Sequence, residues 1–289
     1  MTTNSIKRFN ITKVSGGAVA DTSDALAIEE PLEIRLEYGP AGDRQIKSVS
    51  VTMCTPGNDA ELAAGFLFTE GIISSRDAIL NIEHCFISCA ENKENVIVVK
   101  LKEGITPNLN SSERNFYTTS SCGVCGKGSI NAIRTVSSFV NKNGIPHSID
   151  AEVLFRLPDV LRYYQDAFAS TGGIHASGLS NLAGELLLLR EDVGRHNALD
   201  KLIGAALNNN WLPLDNHILL LSGRASFELV QKAAMAGITI IAAVGAPSTL
   251  AVELAEEFNI TLAGFLRNQR FNIYTAGHRI LLPANENTY

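Results

Sequence analysis

The sequence has no run of basic residues, and 24 Lys and Arg against 30 Asp and Glu leave a net charge of -6. That balance excludes broad electrostatic attraction to nucleic acid or anionic lipid and leaves room only for a local basic pocket. No apolar stretch reaches the ~20 residues that a membrane-spanning helix needs. The first ten residues also lack the apolar core of a signal peptide. A cytoplasmic protein without membrane contact is expected. Cysteine is scarce: Cys54, Cys85, Cys89, Cys122 and Cys125 are too few and too unevenly spaced for a disulfide framework in 289 residues, so reduced thiols are expected. Neither GxxxxGK[ST] nor GxGxxG occurs, which excludes the standard nucleotide loops. No internal repeat and no low-complexity segment is present.

What the chain does have is Ser120-Ser121-Cys122-Gly123-Val124-Cys125-Gly126-Lys127. Two thiols stand three positions apart in a glycine-rich turn beside a lysine, a setting that exposes sulfur and favours the reactive thiolate. Such a pair serves redox chemistry, metal binding or sulfur carriage. Cys85-x3-Cys89 with Cys122-x2-Cys125 has acceptable spacing for zinc. Phe86 and Ile87, however, make the first pair read as small core residues. No histidine has glutamate two residues later and no proline precedes the CxxC, against a zinc deaminase. No structural metal is expected. A thioredoxin-like protein sets its CxxC between a strand and a long helix early in a βαβ unit, whereas here a polar loop precedes it.

The first part of the chain reads as strands over residues 32–38, 46–53 and 96–101, with one helix between them. Asn58 with Glu61 is the expected start of that helix, and Gly71 suits its end. The polar residues 102–121 divide a small α+β domain, 1–110, from an α/β domain, 111–289. In the second, strands are expected over 184–190, 218–221, 238–244 and 260–266. Helices are expected from the cap Asn197 and over 226–236 and 248–258. Strand, helix, strand, helix, strand with short links predicts a mostly parallel sheet.

In such a sheet ligands lie beyond the carboxyl ends of the strands, where helix N-termini present N–H groups to anions. Two of these ends are Ser222-Gly223-Arg224-Ala225-Ser226 and Gly245-Ala246-Pro247-Ser248. They suit a phosphate, and they equally suit ordinary strand-to-helix turns with N-caps. His175, in Gly172-Gly173-Ile174-His175, is placed for proton transfer or for holding an anion. In Glu191-Asp192-Val193-Gly194-Arg195-His196-Asn197, His196 is open to either a functional or a structural reading, and Asp192 and Asn197 can fix a turn.

Thr55-Pro56-Gly57-Asn58-Asp59, Gly65-Phe66-Leu67-Phe68, Cys122-Gly123-Val124-Cys125-Gly126 and the His175, Asp192 and Arg224 segments occur in order from about residue 50 to residue 280. Together they resemble the FdhD sulfurtransferase family, accessories of formate dehydrogenases. The resemblance implies a cytoplasmic, homodimeric sulfur carrier whose larger domain is cytidine deaminase-like without the zinc signature. Such a carrier takes persulfide sulfur from a cysteine desulfurase. It passes that sulfur to Mo-bis(molybdopterin guanine dinucleotide), or the tungsten analogue, before the cofactor enters formate dehydrogenase. Carried onto this sequence, the resemblance makes Cys122 the persulfide-bearing thiol, with Cys125 assisting. The cofactor-binding stretch becomes Phe265, Leu266, Arg267, Asn268, Gln269 and Arg270; the strand-end turns read above add Ser222, Gly223, Arg224, Gly245 and His175 as candidates beside it. Cys54 is given no settled role. The alternatives are a chaperone that binds the cofactor without carrying sulfur, and a CxxC thiol-redox protein.

Overall fold

The computed structural model describes residues 5–85, 95–109, 139 and 147–283. It opens on an antiparallel hairpin of β1 (Ile6–Ser15) and β2 (Ala18–Ala27), which the sequence reading did not anticipate. The signal was Gly16-Gly17: both residues have positive φ, 57° and 87°, as a two-residue type I′ hairpin turn demands.

β3 (Glu30–Tyr38), β4 (Gln45–Cys54), α1 (Asp59–Thr69), β5 (Ile79–His84) and β6 (Val96–Leu101) follow, with the strands in the order β4-β3-β6-β5. The three expected strands are present, and Gly71 follows α1 with φ 70°. The cap is different from expectation. Asn58 holds the N-cap position in a left-handed conformation and makes no side-chain cap bond. Glu61 turns away to pair with Arg190, so no capping box forms.

After β7 (Ile149–Asp150) come α2 (Ala151–Tyr164), α3 (Asp166–Thr171), β8 (His175–Asn181), β9 (Leu186–Asp192) and α4 (Arg195–Asn208). β10 (His217–Leu221), α5 (Phe227–Met235), β11 (Ile240–Ala243) and α6 (Thr249–Glu257) continue the alternation. β12 (Thr261–Arg267), β13 (Arg270–Thr275) and β14 (Ile280–Leu281) end it. The large sheet runs β13-β12-β11-β10-β8-β9. Its centre, β10-β11-β12, is parallel as expected. The expectation of a mostly parallel sheet needs correcting, because the pairs β12-β13, β8-β9 and β8-β10 are antiparallel. For two pairs the physical reason is loop length: two residues link β12 to β13 and four link β8 to β9, too few for a parallel crossover; β8 then opposes β10 as well because it lies between β9 and β10, which run the same way.

Alternation along the central strands sorts two cores. Leu219, Leu221 and Ile241 join Leu199, Leu202, Val230 and Leu254 of α4, α5 and α6. Ile218, Leu220 and Ile240 face Leu154, Leu157 and Leu161 of α2, which covers the other side. The first core continues through Leu62 and Leu67 of α1 to Ile34, Leu36 and Val99 of the small sheet. The molecule is therefore layered as α2, large sheet, helices α4 to α6, α1 and small sheet. Among the described residues no helix is long and apolar enough to cross a membrane.

Candidate functional site at the sheet edge

Because β10, β11 and β12 are parallel, the segments after them emerge at one edge and are bonded side by side. Gly245 N donates to the Gly223 carbonyl at 3.0 Å, and Phe265 N donates to the Gly245 carbonyl at 3.1 Å. Ala225 and Ser248 add bonds to Ala246 and Ala225. The contact requires glycine at 245, where a Cβ would fall 2.9 Å from Arg224 N. His175, on antiparallel β8, begins at the same edge. A Cβ on Gly223 would sit 3.3 Å from its Nδ1, so the imidazole lies directly over that loop. Ser222 Oγ accepts from Ala176 N at 2.8 Å and ties the loop to β8. Thus His175, Gly223, Gly245 and Phe265 form one row.

The helices α4, α5 and α6 start at this edge behind Gly194, Ser226 and Ser248, and Ser248 Oγ accepts from Ala251 N at 3.3 Å. Their N–H ends point positive dipole toward the row. Arg224, Arg267 and Arg270 are exposed there. Arg267 and Arg270 are register partners across the turn at Asn268 and Gln269, both at φ 53°. Directly opposite residues of an antiparallel pair project to the same side, so two guanidiniums share one surface, a costly arrangement unless an anion joins them. The Arg267 guanidinium carbon lies 5.8 Å from the centre of the Phe265 ring. Leu266 differs from its neighbours in the stretch. It is 1% exposed and belongs to the core beneath the edge, so its side chain faces away from any ligand.

Charge at the row is tuned by burial. His175 is held below its ordinary pKa by burial first, then by the neighbouring Arg195 and His196. His196 Nε2 lies 3.3 Å from Ser226 Oγ and 3.7 Å from the Glu228 carboxylate. That interaction is the main cause holding Glu228 down to about 2. The row can therefore present a neutral imidazole, three arginines and three helix ends to an anionic ligand.

The Asp192 segment does a different job. Asn197 was expected as the cap of α4, but the helix starts at Arg195, with Gly194 as its cap. Asn197 Nδ2 instead donates to the Met53 carbonyl at 2.8 Å and to Asp192 at 3.2 Å. Asp192 accepts from Gly194 N and Thr55 N and pairs with the Lys201 ammonium at 2.7 Å, fully buried. Lys201 also donates to the Thr55 carbonyl. Glu191 accepts from Ala167 N and Phe168 N at the start of α3. Asp192, Asn197 and Lys201 bind the two sheets together, while Glu191 ties α3 to β9. Sequence reasoning missed Lys201, and with it Lys232, which is buried against Asp200 at 2.9 Å. The signal available was the pair Asp200-Lys201 in the otherwise apolar run from Ala198 to Leu207.

Cys54 is 2% exposed, and burial is the main cause pushing its thiol up to about 12, so it is no thiolate near neutral pH. Cys85 is half-buried. Cys89, Cys122 and Cys125 lie outside the described residues.

Fold and edge define a class: a layered α/β protein that gathers helix ends and arginines at the carboxyl edge of its sheet. Residues 27–281 match the FdhD/NarQ family. The chain is 48% identical over 280 residues to the sulfur carrier protein FdhD of Streptomyces avermitilis, covering 96% of each. It is 50% identical over 277 residues to that of Mycolicibacterium paratuberculosis, covering 94% of this chain and 98% of the relative. It is also 40% identical to the protein of that name from Saccharolobus solfataricus, over 95% of this chain and 98% of the relative. A crystal structure of a formate dehydrogenase accessory protein from Desulfotalea psychrophila has the same fold, with TM-score 0.71 at 24% identity over 96% of this chain and 99% of that one. The chain belongs to the FdhD/NarQ family.

Proposed function

We propose that the chain is a sulfur carrier that receives sulfur from a cysteine desulfurase on Cys122, assisted by Cys125. It delivers that sulfur to a molybdenum or tungsten bis(guanine dinucleotide) cofactor destined for formate dehydrogenase. In the loading step the Cys122 thiolate attacks the terminal sulfur of the donor's cysteine persulfide. The S–S bond of the donor breaks, the donor leaves as a thiolate, and Cys122 carries the new persulfide, with no net oxidation or reduction. The cofactor is cargo, and its guanine dinucleotide halves bring the phosphates that the sheet edge suits. The reading also takes in a homodimer that works in the cytoplasm.

The observation that carries the cargo reading is the cross-strand pair Arg267 and Arg270, projecting to one side beside the Gly223, Gly245 and Phe265 row. Two phosphates relieve the repulsion of the pair, and the Phe265 ring offers a face for a guanine. His175, neutral and close to Gly223, can donate a hydrogen bond to a phosphate without adding charge. The test is GDP binding by calorimetry at fixed salt. Replacing Arg267 and Arg270 together by alanine is expected to cost about 2 to 4 kcal/mol, from roughly 1.5 to 3 for each charge-assisted contact with incomplete additivity. Unchanged affinity would put the cargo elsewhere.

A further inference from the structure

Three cations are buried among the described residues, and two of them hold a buried aspartate: Lys201 pairs with Asp192 and Lys232 with Asp200. The third is Arg279, 7% exposed, with which no described carboxylate pairs. It ends the short helical turn Gly277–Arg279 between β13 and β14. Among the described residues its one hydrogen bond runs from Nη1 to Thr261 Oγ1 at 3.3 Å. Thr261 Oγ1 in turn donates to the Ala276 carbonyl at 2.8 Å, so this partner is a neutral hydroxyl already in use. Burial lowers the Arg279 pKa, and no charged group counters it. A buried charge held this way is costly unless an opposite charge joins it.

With Nη1 on Thr261, the free edge of the guanidinium is that of Nε and Nη2. Neither atom has a partner among the described residues, and neither is sealed from the surface. Two parallel N–H donors on one edge match two oxygens of a single carboxylate or phosphate group. We propose that Arg279 is an anion site that takes two oxygens of a carboxylate or phosphate on its Nε and Nη2 edge. Thr261, which begins β12, steadies the other side of the guanidinium. Thr261 and Arg267 stand at opposite ends of β12, about 20 Å apart by strand rise. The site is therefore separate from the edge that suits the cofactor, and the inference rests on neither sulfur nor cargo.

The test follows the arginine Nε–H signals of the isotope-labelled full chain by NMR, at constant ionic strength, as acetate or inorganic phosphate replaces chloride. The Arg279 signal is the one missing from Arg279→Lys, and side-chain to backbone correlation identifies it should that variant not fold. It is expected to move and to saturate. Tighter binding of acetate assigns the natural ligand as a carboxylate, and tighter binding of phosphate assigns it as a phosphorylated group. Thermal unfolding gives a second readout. At about tenfold excess of the tighter probe over its Kd, this site is expected to raise the wild-type Tm by about 2 to 4 °C. Arg279→Met is expected to lack that increment, while any gain from the opposite edge is common to both proteins. An Arg279 signal that neither probe moves, or an equal gain in Arg279→Met, would overturn the proposal and leave the guanidinium to water alone.

Discussion

Gly65 of α1 and Gly204 of α4 meet back to back where the two helices cross. A Cβ on Gly65 would overlap the Asp200 carbonyl, and one on Gly204 would overlap the Glu61 carbonyl. Each glycine is therefore fixed by the backbone of the other helix, which cannot yield as a flexible side chain can. This crossing brings α1, and with it the small sheet, against the helices of the large one. Gly65→Ala and Gly204→Ala are each expected to cost about 3 kcal/mol or more, at or above the usual range for overpacking. Denaturant unfolding monitored by circular dichroism checks this, and a loss below about 1 kcal/mol would show that the helices separate easily.

Asp192 and Lys201 form a second joint between the same layers. Lys201→Met leaves the Asp192 carboxylate buried without its counter-charge and is expected to destabilise by about 3 to 5 kcal/mol. Replacing both residues by apolar ones is expected to cost less than the single change, and the same unfolding experiment reads the difference.

Cys54, with a thiol pushed up to about 12, has a thiolate fraction of about one in ten thousand at pH 8. In the folded protein it is expected to escape iodoacetamide, and to react once the chain is unfolded in denaturant. Peptide mapping by mass spectrometry distinguishes the two states. Rapid labelling of Cys54 in the native protein would contradict its burial.

Glu228 is held at about 2 against an ordinary 4.5, so the native state binds its proton less readily than the unfolded state does. Its contribution to stability is full above about pH 4.5 and is lost as the pH falls toward 2. The Glu228 and His196 side chains are 19% and 20% open to solvent, which screens the pair, so the contribution is about 1 kcal/mol rather than the ~3 kcal/mol of the whole shift. Glu228→Gln is expected to lower stability by that amount at pH 6 and to converge with the wild type in strong acid. A difference that persists at pH 2 would assign the loss to packing.

Much of the architecture was legible because it rests on local signals. Residues 218–221, 238–244 and 260–266 are short apolar runs bounded by turn residues, and they became the parallel centre of the sheet. The edge strands were not legible, because their direction depends on hairpin links that look like any other turn. Asn58 and Asn197 illustrate a second limit. Asn58 does stand at the cap of α1, but Glu61 is taken by Arg190; Asn197 lies one turn inside α4, where its amide is held by the Met53 carbonyl. At the candidate site, the sequence placed the segments around Gly223, Gly245 and Arg267 at one edge, and they are joined there by backbone hydrogen bonds. It did not reveal that Leu266 points into the core, because strand alternation is broken by the irregular register between Gly264 and Arg267.

The central claim is that Cys122 carries sulfur. Its most direct test is to incubate the protein with a cysteine desulfurase and cysteine, block free thiols, and map the cysteines by mass spectrometry without reductant. The account predicts one added sulfur atom on the peptide containing Cys122, removable by reductant and absent in Cys122→Ala. Desulfurase that turns over while every cysteine of this chain stays an unmodified thiol would contradict it.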